Sequence, residues 1–393
     1  MNIFKRIIYR AYQITFRSLI PLLPYREPII LKSTCDVGKI LKDNAVESVL
    51  IVTRRAPTNL IESLDENNIK YVIYNNTKPN PTVENVEEGV SLYTKNQCKA
   101  IIAIGGGSPI DCAKAIGARI AYPNKSVSKL KGMLKVLRKI PLLIAIPTTA
   151  GTGSEVTLAA VISEPQKNDK YALMSFPLIP SYAILDAKLT YSLPPHLTAT
   201  TGVDALTHAV EAYIGRSTTR KTRALAITSV QRIFKYLERA YNNGDDGEAR
   251  ENMLIASYEA GIAFSISYVG YVHAIAHSLG GRYDIPHGLA NAVIMPHVLE
   301  AYGKSAHKKL HKLAVAIGVS GKDDSHIDGA QAFIQAVKNL NTKMNIQSGF
   351  SEINESDIST LAKHAAYEAN PLYPVPKLMS NIELEEIYRK IMR

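Results

Sequence analysis

Ala100-Ile101-Ile102-Ala103-Ile104-Gly105-Gly106-Gly107-Ser108-Pro109-Ile110-Asp111 decides how this chain folds. The continuous apolar run predicts a strand covered on both faces, as in a parallel sheet. Glycines then turn the chain, and Cys112-Ala113-Lys114-Ala115-Ile116-Gly117 reads as the start of a helix. Glycine lets backbone approach a phosphate, and free N–H groups with the helix dipole favour an anion there. Taken alone, the stretch is equally a tight strand-to-helix turn with no ligand.

Working outward, runs of the same character recur. Ser48-Val49-Leu50-Ile51-Val52-Thr53, Lys70-Tyr71-Val72-Ile73-Tyr74 and Pro141-Leu142-Leu143-Ile144-Ala145-Ile146 read as strands, with Ala183-Ile184-Leu185 a shorter one. Helix-length segments separate them, which predicts an α/β domain built on a parallel sheet. The last long run ends in Pro147-Thr148-Thr149-Ala150-Gly151-Thr152-Gly153-Ser154-Glu155-Val156-Thr157, a second loop offering hydroxyls and amides after a strand. Two such loops at the carboxyl edge of one sheet suggest a dinucleotide site of Rossmann-like type, although the GxGxxG fingerprint is absent. Beyond Leu193-Pro194-Pro195 strand-like runs give way to amphipathic helical patterns. The expected organisation is therefore a basic segment over 1–26, an α/β domain over 27–190 and an all-α domain over 191–393.

The helical half carries the chemistry-bearing histidines. His273 and His277 stand four apart in a helical run, and His287 follows Gly280-Gly281 and Pro286, which should fold the chain back toward that helix. Asp204 and His208 repeat the four-residue spacing upstream. A single histidine on a helix is ordinarily a satisfied core or surface residue. Several in stretches of small apolar residues are polar groups set into a buried seam, and a divalent cation would satisfy them. Three or four ligands are on offer.

Composition narrows the function classes. A chain of 393 residues supports two cores. Its net charge of +11 is spread without an aromatic platform, so nucleic acid is not the expected partner, and attraction of an anionic cofactor is the simpler reading. Cys35, Cys98 and Cys112 are widely spaced, which fits a reducing compartment such as the cytoplasm and no disulfide framework. No apolar run reaches the roughly 18 residues of a membrane span. The first 26 residues hold Lys5, Arg6, Arg10, Arg17 and Arg26 and no acidic group. Arg6, Arg10, Gln13 and Arg17 share a helical face opposite Phe4, Ile8, Tyr12, Phe16 and Leu19, with Pro21 ending the helix. Such a segment could lie on an anionic membrane through residues 1–22, target an organelle, or dock on the protein itself.

Together these motifs resemble the iron-containing (group III) alcohol dehydrogenase family over roughly residues 27–393, an architecture shared with dehydroquinate synthase-like enzymes. The resemblance implies that Asp204, His208, His273 and His287 hold the metal, Fe(II) or alternatively Zn(II), since ligand type does not separate the two. His277 would be the nearby histidine beside cofactor and substrate, a candidate proton relay. Gly106, Gly107 and Ser108 would contact the pyrophosphate, with Asp111 closing the same motif. Thr148, Thr149 and Thr157 would line the cofactor cleft, Asn80 would lie on the adenosine side, and Lys170 near the nicotinamide. The implied reaction is hydride transfer between NAD(P)(H) and a small primary alcohol or aldehyde. Alternatives are a dehydroquinate synthase-like or glycerol dehydrogenase-like enzyme, or a non-catalytic nucleotide- or metal-binding protein.

One departure sets the cofactor expectation. Family members that prefer NAD commonly carry an acidic residue after the first strand, where this chain has Thr53-Arg54-Arg55. Arg54 could pair with a 2'-phosphate, which favours NADP(H) over NAD(H), unless both arginines are simply solvated. Near the histidines only Arg282 is basic, too few charges for a sugar-phosphate substrate. Phe264, Ile266, Val269 and Leu279 suggest an apolar cleft for an aliphatic substrate. A homodimer is the base-rate oligomer.

Overall fold

A computed structural model describes residues 3–167 and 169–393. Two compact units divide the chain: Pro24–Ser192, and Leu193–Arg393 joined by the N-terminal residues up to Leu23.

The first unit is built on β1 (Ile29–Leu31), β2 (Ser48–Val52), β3 (Lys70–Tyr74), β4 (Ala100–Gly105), β6 (Leu142–Pro147) and β9 (Tyr182–Ile184), ordered β3-β2-β4-β6-β9-β1 with every pairing parallel. Alternation along the strands explains why both faces are covered. Val49, Ile51, Ala100, Ile102 and Ile104 pack with Val37 and Leu41 of α2 (Val37–Asp43) and Leu60 and Leu64 of α3 (Thr58–Glu66). The intervening Leu50, Val52, Ile101 and Ala103 meet Val86 of α4 (Val83–Lys95) and Ile110, Ala113 and Ile116 of α5 (Gly107–Ala121) on the other face. Since β3 lies on one side of β2 and β4 on the other, the order reverses between β2 and β4, the point where open α/β sheets bind ligands.

Two features of this unit lie outside the sequence expectation. Strand β1 has only three residues, two of them exposed, so it carries no periodic signal. A second sheet, β5 (Gly132–Met133), β7 (Ala159–Glu164) and β8 (Asp169–Met174), is ordered β5-β8-β7 with β7 antiparallel to β8, so the purely parallel reading applies to the larger sheet alone.

The second unit is helical: α6 (Pro195–Ile214), α7 (Arg220–Asn242), α8 (Gly247–Ser267), α9 (Tyr271–Tyr283), α10 (His287–Tyr302), α11 (Lys304–Ala316), α12 (His326–Lys343), α13 (Glu355–Ala369) and α14 (Asn381–Ile391). None is long and apolar enough alone to cross a membrane. Close approach of α10 to α6 depends on Gly288, where a Cβ would stand 2.6 Å from the Thr200 carbonyl oxygen. Gly280 and Gly281 belong to α9 itself. The reversal expected of them is made by Asp284, left-handed at φ 54°, and Pro286 at the N-cap of α10.

The basic segment forms α1 (Ile3–Leu19) and docks on this unit by its polar side. Gln13 is buried and donates to the carbonyls of Tyr373 (2.7 Å) and Pro371 (3.2 Å), while Arg10 donates to Val375 (2.8 Å) and Pro376 (2.9 Å). The apolar side faces outward, the reverse of an ordinary core-packing amphipathic helix. Met1 and Asn2, which open that segment, lie outside the described residues.

Candidate metal centre and cofactor loops

Three helices converge on one point in the second unit. Asp204 and His208 project one turn apart from α6, His273 from α9, and His287 opens α10. One donor atom from each lies within 4.8 Å of the others. Asp204, His208 and His273 are buried and His287 is half-buried. His208 lies between rings, 4.1 Å from the Phe264 centroid and 4.6 Å from that of His273.

Neighbouring polar groups fix the ligands. The Nδ1 of His273 meets the Glu211 carboxylate at 2.7 Å, which turns Nε2 toward the cluster. Glu211 also accepts the N–H groups of Gly270 (2.7 Å) and Val272 (2.8 Å). Burial pushes its pKa up to about 7, with the backbone N–H groups of Gly270, Val272 and His273 pulling the other way. Glycine at 270 is required by space, for a Cβ there would stand 2.6 Å from a Glu211 oxygen. Burial, and then His208, His287 and His277, hold His273 well below the ordinary imidazole range, so its ring is neutral, the form that ligates a metal.

The donor set also fits a cation by what stands among it. Asn291 Nδ2 donates to Asp204 Oδ1 at 2.6 Å and lies 3.1 Å from His287 Nε2 and 3.4 Å from His273 Nε2. An electropositive group thus sits where the acceptors converge. The Asn291 Oδ1 is buried without a hydrogen-bond partner among the described residues.

His277 is placed differently. It is exposed, stacks on His287 at 5.1 Å and 21°, and holds the Glu368 carboxylate at 2.6 Å through Nδ1. Tyr373 donates its hydroxyl to the same Glu368 oxygen at 2.7 Å. Burial raises the Glu368 pKa, but His277 and Tyr373 outweigh it and leave the carboxyl below its ordinary range. Arg282 points to Asp357 instead, at 3.0 Å and 3.2 Å. Leu279 is core rather than cleft lining, while Ile266 and Val269 are half-buried.

The α/β unit gathers the cofactor candidates at its strand ends. A Cβ on Gly106 would meet Thr149 at 3.3 Å and one on Gly107 would meet Thr152 at 3.0 Å, so glycine lets the two loops lie side by side. Thr148 closes them through N–H to the Gly105 carbonyl, 2.9 Å. Asn80, at φ 55°, donates its N–H to Ser108 Oγ (3.3 Å) and accepts from Lys170 Nζ (2.9 Å). Arg54 is exposed directly after β2, beside the switch point. Asp111 and Thr157 hold the loops together. The Asp111 oxygens take the Ser154 hydroxyl (2.6 Å) and the Val161 N–H (2.9 Å), and Thr157 accepts from the buried Lys114 ammonium (2.9 Å).

Sequence reasoning missed Glu211, Asn291, Glu368 and Lys114. Glu211 and Asn291 had a signal, three residues after His208 and four after His287 on the same helix faces. Glu368 had none, being 91 residues from the ring it orients.

Fold and centre together define a dinucleotide-type α/β unit followed by a helical unit with an Asp/His metal cluster, an oxidoreductase architecture. Residues 32–187 match the family "Iron-containing alcohol dehydrogenase", and residues 198–392 match "Fe-containing alcohol dehydrogenase family, C-terminal". Alcohol dehydrogenase 4 of Schizosaccharomyces pombe is 38% identical over 337 residues, covering 84% of this chain and 77% of its own. The NAD-dependent methanol dehydrogenase of Bacillus methanolicus is 37% identical (84% and 88% covered), and the NADPH-dependent butanol dehydrogenase of Clostridium saccharobutylicum 38% (74% of each). A crystal structure of 1,3-propanediol oxidoreductase superposes with TM-score 0.90 at 33% identity, covering 94% of this chain and 99% of that one. The chain belongs to the iron-containing alcohol dehydrogenase family. It is a metal-dependent oxidoreductase acting between alcohols and aldehydes with a nicotinamide cofactor.

Proposed function

We propose that the enzyme interconverts small primary alcohols and aldehydes with NADP(H), using Fe(II) held by Asp204, His208, His273 and His287. The observation that carries this reading is the convergence of those four donors within 4.8 Å. Zn(II) suits the same donors, and the family favours iron. When bound, the ion supplies Lewis-acid polarisation of the substrate oxygen and the nicotinamide supplies or receives hydride.

The chain's own residues orient, exclude water and move a proton. Glu211 keeps His273 in the ligating tautomer, and Phe264 shields the His208 ring from solvent. Glu368 holds the Nδ1 of His277, leaving Nε2 as the nitrogen that exchanges a proton with the substrate oxygen. On the cofactor side, Gly106, Gly107 and Ser108 take the pyrophosphate, and Asn80 with Lys170, Thr148 and Thr149 line its path. Asp111 and Thr157 support these loops through the bonds described above. Arg54, exposed at the switch point, pairs with the 2'-phosphate. Relatives use both cofactors, since one is named NAD-dependent and another NADPH-dependent. Three free thiols fit a reducing cytoplasm, and a homodimer is the working assembly. A dehydroquinate synthase-like reaction is less well served, because Arg282 is engaged by Asp357.

Oxidation of NADPH and NADH, side by side, by Fe(II)- or Zn(II)-loaded protein with short aldehydes tests the reading. Metal-dependent turnover that is faster with NADPH is expected, and Arg54→Asp should weaken NADPH far more than NADH. Equal loss with both cofactors would sink the 2'-phosphate role, and no turnover under any condition would sink the dehydrogenase assignment of this site.

A further inference from the structure

Helix α1 presents outward the side that an amphipathic helix normally buries. Ile3, Phe4, Ile7, Ile8, Ile14 and Leu19 are 48–76% exposed, and eight of the twenty exposed large apolar residues among those described fall within residues 3–22. Its inner side is held by polar contacts of Arg10 and Gln13 to the backbone of residues 371–376 and by Phe16 edge-on to Tyr268, ring centroids 5.2 Å apart. The outward orientation is therefore built in by specific bonds and is not a frayed terminus.

Charge borders the apolar strip. Lys5 and Arg17 flank it and are exposed. Positive charge continues beyond the helix through Arg216, which acts on Arg10, and Lys312, which with Arg17 and Arg216 acts on Lys309; Arg216 and Lys312 are both exposed. Burial, and then Arg223, Arg17, Arg216 and Lys312, push the Lys309 ammonium down to about 8. An apolar strip rimmed by Lys and Arg matches the acyl boundary and headgroup layer of an anionic bilayer. A second copy of the chain matches it poorly, since two-fold pairing of α1 would set Lys5 and Arg17 against their own like charges. Seventeen residues of helix measure about 25 Å, short of the roughly 30 Å hydrocarbon core, so α1 lies along a surface and does not span it.

We propose that the outward face of α1, with its rim of Lys5, Arg17, Arg216 and Lys312, docks the folded enzyme on an anionic lipid surface. The proposal is independent of the dehydrogenase reading, because the docking face shares no residue with the metal or cofactor sites.

Co-sedimentation of the full chain with phosphatidylcholine vesicles, with and without phosphatidylglycerol, tests it. Binding is expected only with the anionic lipid and should be released by high salt. Ile7→Ser/Ile14→Ser should lower the partition by about tenfold or more, and Lys5→Glu/Arg17→Glu should abolish the anionic preference. Both pairs leave the Arg10 and Gln13 bonds intact, so soluble turnover and far-ultraviolet dichroism should be unchanged. No binding, or equal binding to neutral vesicles, overturns the proposal. So does a sedimentation-velocity shift from dimer to monomer in the serine pair without any vesicle binding, which would make the face a contact between copies.

Discussion

Glu211 shows how one buried carboxylate arranges a metal site without being a ligand. It takes two backbone N–H groups and the Nδ1 of His273, so the turn before α9 and the ring's tautomer are set by the same group. Glu211→Gln replaces a carboxyl that receives only donors by an amide with a donor of its own and should lower metal affinity by about 10- to 100-fold. Chelator competition reads it, and unchanged affinity would remove Glu211 from the ligand-orienting role. Glu368 makes a separate prediction. Its folded pKa lies below its ordinary 4.5, so its contribution to stability is complete above about pH 4.5 and is lost as pH falls through the folded value. Denaturant titrations of native protein and Glu368→Gln should therefore converge as pH drops below 4.5. A constant gap between them would mean that the carboxylate's charge is not what His277 and Tyr373 stabilise.

At the level of elements, the site exists because α10 approaches α6 closely at Gly288 and because Asp284 and Pro286 turn the chain from α9 into α10. A methyl group at 288 meets the Thr200 carbonyl oxygen at 2.6 Å, and neither backbone can yield cheaply. Gly288→Ala should cost about 1–3 kcal/mol of stability. It should also weaken metal binding by moving His287 away from Asp204, from which it now stands 3.5 Å. Calorimetry and metal titration on one preparation check both, and a loss of stability with full metal affinity would show that α10 relaxes without displacing His287.

For the whole molecule, all four donors belong to the helical unit, whereas the cofactor candidates belong to Pro24–Ser192. An ion that binds only the folded state stabilises the elements that carry its ligands. Removing it by chelation should reduce amide-exchange protection in α6, α9 and α10 and leave β2, β4 and β6 unchanged. Equal loss of protection in both units would mean that the metal stabilises the fold globally.

Much of this was legible along the chain, for a physical reason. Strand–turn–helix units and i, i+4 pairs are local patterns, so Ala100–Asp111 and the pairs Asp204/His208 and His273/His277 were legible by periodicity, whereas the choice among the histidines came only with the family resemblance. The glycine turn after β4 is equally local, although its cofactor role was implied only by the resemblance. What the sequence by itself determined was thus the large parallel sheet, the helical second half and the residue types of the metal cluster. Tertiary structure alone decided the rest. Burial gave Glu211 and Asn291 their places around the ligands, a contact across 91 residues gave His277 its carboxylate, and the two-strand antiparallel pair β7–β8 formed without a periodic signal. The orientation of α1 belongs here too. Amphipathic periodicity names two faces but not which one a body will hold, and here the backbone carbonyls of residues 371–376 bind the polar face through Arg10 and Gln13 and leave the isoleucines outside.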